Sequence, residues 1–186
     1  MAALLVAVPR ADAVELTWKG QPHPQPYQGW ADSAKVPTYP GKVRLSTSWR
    51  RCRSGPHVWG CALWKPLTVV LHKGGKNRRT LHHELGHIFD FVVMGHGRIV
   101  RNRLVNPRSL GRMTASRRLY ARYIGRRGSW AGGDDPIRER FADSYAACAR
   151  NPTEIIGQIP WGYDAGGERH RAICALIERE YAARFQ

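Results

Sequence analysis

The stretch TLHHELGH, residues 80–87, decides how this chain is read, because a glutamate stands beside the first of two histidines spaced four apart. On a helix turning about 100° per residue, His87 falls about 40° and Glu84 about 100° from His83. Leu81, Leu85, Ile88 and Val92 gather on the other side, so the polar trio and the apolar stripe occupy separate faces. His82 points away from the trio and is read as a bystander. Two imidazoles one turn apart can bind the same Zn2+, and a glutamate next to the first is placed to take a proton from water on the ion.

A site of this kind needs a third ligand. The extension HExxHxxGxxH would supply a histidine, but Asp90 stands at the glycine position and Val93 at the histidine position. A carboxylate must therefore come from another helix, and ERFAD, residues 139–143, is the best source. Glu139 and Asp143 are four apart and share a face. Ala142 and Ala146 lie beside them, small enough for two helix backbones to come close. Glu139 is the expected ligand, and Asp143 the expected acceptor for a ligand histidine N–H, fixing its tautomer. The competing reading makes Glu139 an ion-pair partner of Arg138 or Arg140 and Asp143 an ordinary surface acid.

Outward from the motif, residues 67–72 (LTVVLH) are a β-branched apolar run that predicts a strand, and KGGKN then breaks it, with Asn77 as N-cap of the motif helix. Residues 42–49 and 57–64 read as two strands joined by a turn at RSGP, and a Cys52–Cys61 bond would staple that hairpin. Residues 14–18 predict a short strand, and the proline-rich run at 20–30 an irregular segment without helix. Further helices are expected at 109–124, from Pro136, where prolines suit a first turn, and at 168–185. The fold class is α+β: a small N-terminal β-sheet followed by the active-site helix, the third-ligand helix and a C-terminal helix. Residues 14–186 form one domain.

The chain has 186 residues, with 30 Lys+Arg against 14 Asp+Glu. Ten arginines fall in residues 98–127, and no acid lies between Asp90 and Asp134. That block reads as a solvated basic surface, or as a place to hold an anionic surface or polyanion. No nucleic-acid-binding motif accompanies it. Nor does any apolar run approach the roughly 18 residues of a membrane span. The four cysteines form two separated pairs, Cys52/Cys61 and Cys148/Cys174, without the C-x2-C spacing of a structural zinc site, and predict two disulfides in an oxidising compartment. Cys148 lies opposite Glu139, so a bond to Cys174 would fasten the last helix away from the metal. Residues 1–13 read as a truncated signal peptide, with Ala11-Asp12-Ala13 as its cleavage site, or as a disordered or docked leader. A secreted or extracytoplasmic protein is the expectation, and a cytoplasmic one the alternative.

HELGH at 83–87 followed by ERFAD at 139–143 resembles the gluzincin branch of zinc metallopeptidases, the thermolysin-like and lethal-factor-like zincins. From the cysteine hairpin to the HRAIC helix the pattern is also similar to small secreted metallopeptidases of actinobacteria and their phages. The resemblance implies a zincin-like fold and one catalytic Zn2+ held by His83, His87 and Glu139. It makes Glu84 the general base, Asp143 the support of a ligand histidine, and a protein or peptide the substrate. The strand at 67–72 would pair with that substrate in extended form. An oxyanion donor is also required, and His170 and Tyr163 are the candidates, since both follow the ligand helix near a glycine-rich turn. Two other readings remain open: an extracellular polyanion-binding protein with a structural or vestigial zinc site, and an intracellular DNA-associated metalloprotease.

Overall fold

The computed structural model describes residues 13–18, 20–22, 26–52, 57–126, 130, 137–155 and 166–186. It is a mixed α+β fold. Strands β1 (Glu15–Trp18), β2 (Gln21–Pro22), β3 (Lys42–Ser46), β4 (Gly60–Trp64) and β5 (Leu67–Leu71) form one sheet in the order β2-β1-β3-β5-β4. β1, β3 and β5 run parallel, and β2 and β4 close the two edges antiparallel. A parallel neighbour requires a crossover between strands. Between β1 and β3 that crossover carries helix α1 (Tyr27–Asp32), so the proline-rich run is partly helical after all. Its prolines stop at Pro26, leaving the residues that follow free to coil.

Two strand expectations change. β3 pairs with β1 and β5 and not with β4, so the Cys52–Cys61 bond does not staple a β3–β4 hairpin. It ties the short 3-10 turn after β3 (Trp49–Arg51) to β4, and the hairpin is formed instead by β4 and β5 around Lys65 and Pro66. Residues 53–56 of the expected turn lie outside the described residues. β5, the expected substrate-pairing strand, is covered by β3 on one side and β4 on the other, so its main chain is already paired. Its five residues are all buried, which explains the continuous apolar run: an interior strand covered on both faces has no polar side. Among the described residues, the edge on this side of the sheet belongs to β4.

Helix α2 (Arg78–Phe89) carries the histidine motif. Asn77 caps it as expected, its side-chain oxygen accepting from the Thr80 N–H at 2.9 Å. Leu81, Leu85, Ile88 and Phe89 are fully buried in the core. α2 packs against β4 and β5 on one side and against α4 (Ile137–Arg150) on the other. The approach to α4 is close because Gly86 faces Ala142: a Cβ on Gly86 would come within 3.0 Å of the Ala142 Cα and 2.9 Å of the Tyr145 Cβ. α5 (Gly166–Phe185) packs on α4, and the Cys148–Cys174 disulfide joins them.

The motif helix continues past Phe89 as a π turn over Asp90–Met94, closed by the Gly95 N–H donating to the Asp90 carbonyl. A hairpin absent from the sequence reading follows, β6 (Ile99–Val100) with β7 (Arg103–Leu104). The helix expected at 109–124 divides into a 3-10 turn at Pro107–Leu110 and α3 (Ala115–Tyr123), capped by Thr114. One member of the basic block is internal. Arg117 is fully buried, its guanidinium donating twice to the Asp90 carboxylate at 2.9 and 2.8 Å and to the carbonyls of Ser109 and Arg112 at 2.6 Å. The Trp130 indole N–H donates to the same carboxylate at 3.0 Å, and its ring lies 4.8 Å under the guanidinium carbon.

Candidate metal centre

α2 and α4 bring the sequence-nominated residues together at one point. The Nε2 atoms of His83 and His87 lie 3.5 and 3.1 Å from the same oxygen of Glu139, Oε2. Ligand atoms from these three residues all fall within 4.8 Å of one another, so the group can hold a metal ion. Each histidine thus turns the same nitrogen toward a common centre. The other nitrogen of His83, Nδ1, donates to Asp143 Oδ1 at 2.8 Å, which fixes the ring with Nε2 toward the common centre. Glu139 Oε1 sits 3.6 Å from the Arg138 guanidinium, so one oxygen meets the ion-pair reading of Glu139 while the other faces both histidines.

Glu84 is buried on the adjoining face of α2, beside the start of the edge strand. Gly60, the first residue of β4, leaves it room: a Cβ there would lie 2.7 Å from Glu84 Oε1. Several buried polar atoms here have no protein partner, namely Glu84 Oε2, His87 Nδ1 and Asp143 Oδ2. Orphaned polar atoms are costly in a finished core, and their gathering around two imidazoles and a carboxylate fits a site built to receive an ion and solvent.

Without an ion the groups compensate one another. Burial works against a charge on His83, but hydrogen bonds to Asp143 and Glu139 and the nearby Glu84 charge outweigh it, pushing its pKa up to about 10. Burial would raise the Glu139 carboxyl; the charge of His87 and hydrogen bonds from both histidines hold it well below the usual carboxylate range. Glu84 moves the other way. Its burial pushes the pKa up, opposed by the two histidines and reinforced by Glu139 and Asp143. A carboxylate raised in this way is a better proton acceptor than an ordinary one.

His82, the bystander, is not a surface residue. It is buried, and its Nε2–H donates to the Trp30 carbonyl at 2.7 Å, pinning α1 to α2. Burial lowers its pKa to about 4. The expected oxyanion donor His170 is not brought to this centre. It is wholly buried against α4, its Nε2–H donating to the Asn151 carbonyl at 2.7 Å, with Cys174 Sγ beside the ring. A ring with no exposed surface in that pocket serves packing and helix docking. Tyr163 lies outside the described residues. Cys148, His170 and Cys174 form a second group of metal-ligand type, but the two sulfurs are bonded to each other. Both predicted disulfides are formed, which fits an oxidising environment.

The sequence pattern alone assigns Gly60 and Gly86 no role. A glycine inside a strand marks close approach of another group, and that signal was available at Gly60. No described helix is long and apolar enough to cross a membrane. Of the expected leader, 1–13, residues 1–12 lie outside the described residues. No protein-family model, curated protein or solved structure matches the chain.

Proposed function

We propose that the protein is a zinc-dependent peptidase of zincin type, with His83, His87 and Glu139 holding the ion and Glu84 as general base. The observation that carries this reading is the convergence of both Nε2 atoms on Glu139 Oε2 with the buried Glu84 next to them. A set of two imidazoles and one carboxylate suits zinc and leaves a position for solvent. When bound, Zn2+ supplies Lewis acidity that polarises a peptide carbonyl and acidifies water. The remaining work belongs to the chain. Asp143 holds the His83 ring by its Nδ1–H. Glu84 accepts a proton from water at its carboxylate and returns it to the leaving amine. The β4 edge, which begins at Gly60 beside Glu84, offers main-chain donors and acceptors to an extended peptide.

The intracellular, DNA-associated alternative is disfavoured by the two disulfides. The test pairs metal analysis with turnover of a peptide library. The native protein is expected to carry one zinc per chain and to cleave peptides. Glu139→Ala should lose the metal, while Glu84→Gln should keep it and lose about 100-fold or more in turnover. Unchanged turnover by Glu84→Gln removes the assigned base, and unchanged metal content in Glu139→Ala removes the assigned ligand.

A further inference from the structure

Residues 98–126 carry nine arginines and no carboxylate. Arg117 is withdrawn into the core by Asp90, and the other eight are exposed. We propose that this surface binds a linear phosphodiester polymer, a function separate from the metal centre.

The arginines are displayed on a fixed support. In the β6–β7 hairpin, Ile99 pairs with Leu104 and Val100 with Arg103, and the Val105 N–H donates to the Arg98 carbonyl at 3.0 Å. Directly opposed residues share a face. Leu104 is buried on one face, and Arg98, Val100, Arg103 and Val105 are exposed together on the other. The turn is anchored by the Leu67 N–H donating to the Asn102 carbonyl at 2.9 Å, and the hairpin base by the Arg98 N–H donating to Asn106 Oδ1 at 2.7 Å. Further along, Arg118 and Arg122 stand one turn apart on the open side of α3. Glu180 of α5, which reaches α3, is engaged by Ser116 and by Arg179, its own neighbour, so it does not neutralise the row.

Charge complementarity calls for a polyanion, and the guanidinium fork matches paired phosphate oxygens. A polymer suits the layout better than a bilayer. The cations are spread over a hairpin, a 3-10 turn and a helix, and the large apolar residues exposed among them are two valines, Val100 and Val105, little to sink into an acyl layer. A linear chain with a phosphate at every repeat can follow such a track.

The experiment measures binding of the full protein to a DNA duplex and to poly(glycerol phosphate), two sources of the same chemistry, across 50–200 mM salt as flagged by the steep dependence of roughly one power of salt per phosphate neutralised. Binding of either polymer that weakens steeply with salt is expected, and the tighter arm names the source. The double variant Arg98→Ser/Arg103→Ser should lose about 10-fold in affinity and flatten the log–log salt slope by about 2. A matched pair on α5, Arg169→Ser/Arg171→Ser, should change the slope by far less. Thermal melts of both variants matching the native protein keep the comparison one of binding. Equal effects from the two pairs, binding of poly-glutamate as tight as that of the phosphodiesters, or binding confined to phosphatidylglycerol vesicles would each overturn the proposal.

Discussion

Two buried clusters of charge stand at successive points along one helix, and they are finished differently. At its end, Asp90 and Arg117 satisfy each other: two carboxylate oxygens take two guanidinium N–H groups, an indole N–H completes the acceptor side, and two carbonyls take the rest of the guanidinium. One turn earlier, His83, His87, Glu84, Glu139 and Asp143 leave three buried polar atoms without partners. Burying charge is tolerable only where partners replace water. The satisfied cluster therefore reads as architecture, and the unsatisfied one as a place where something else is meant to bind. The same comparison explains Asp90, which blocks the longer histidine motif in the sequence. That position is committed to holding the next helix.

The comparison breaks first at Arg117. Arg117→Leu leaves the Asp90 carboxylate buried against a lone indole donor, and the expected loss is about 3–5 kcal/mol of stability, read from the urea midpoint. Glu139→Ala in the other cluster should lower stability by less than half of that. A larger loss there would make the metal centre as structural as the Arg117 knot.

At the edge strand the effect should fall on rate as well as on folding, because the backbone of β5 must also give way. Gly60→Ala introduces a Cβ 2.7 Å from Glu84 Oε1 and 2.9 Å from the Val70 carbonyl, displacing the carboxylate. Peptide turnover is expected to drop about 10- to 100-fold with metal content unchanged, since small misplacements of a reacting group are costly. Native turnover in this variant would show that Glu84 tolerates the shift. Asp143→Ala sharpens the contrast from another side. Releasing the His83 Nδ1–H should weaken metal affinity about 10- to 100-fold in a competition titration while the protein stays folded. An unaltered affinity would reduce Asp143 to a buried neighbour.

The smallest effect concerns His82. Its pKa is about 4 in the fold against 6.5 in an unfolded chain, so between those values the unfolded state binds the extra proton. The stability His82 contributes is full above about pH 6.5 and drains away as pH falls toward 4. Measured with chelator present, the stability of the native protein should fall more steeply across that window than that of His82→Gln. Parallel curves would mean that burial does not hold His82 neutral.

Much of the site was legible because a helix has a fixed period. Given residues 83, 84 and 87, elementary geometry puts both imidazoles on one side and the apolar stripe on another, and the same rule pairs Glu139 with Asp143. The disulfide partners followed from grouping along the chain. Strand pairing was harder. The run at 67–72 announces a buried strand, yet nothing in it says which strands lie beside it, and the hairpin assigned between β3 and β4 belongs to β4 and β5. His170 looked free to serve a substrate and is enclosed behind α4.

The sequence by itself determined the local arrangements: which side chains share a helix face, where Asn77 begins α2, and which cysteines can bond. Tertiary structure alone decided that Glu139 Oε2 meets both Nε2 atoms, that Gly60 abuts Glu84 and that Arg117 leaves the basic surface for the core. The physical reason is range. Periodicity and capping act over a few residues, whereas contacts between residues fifty apart depend on which surfaces pack, and that is settled by the whole core at once.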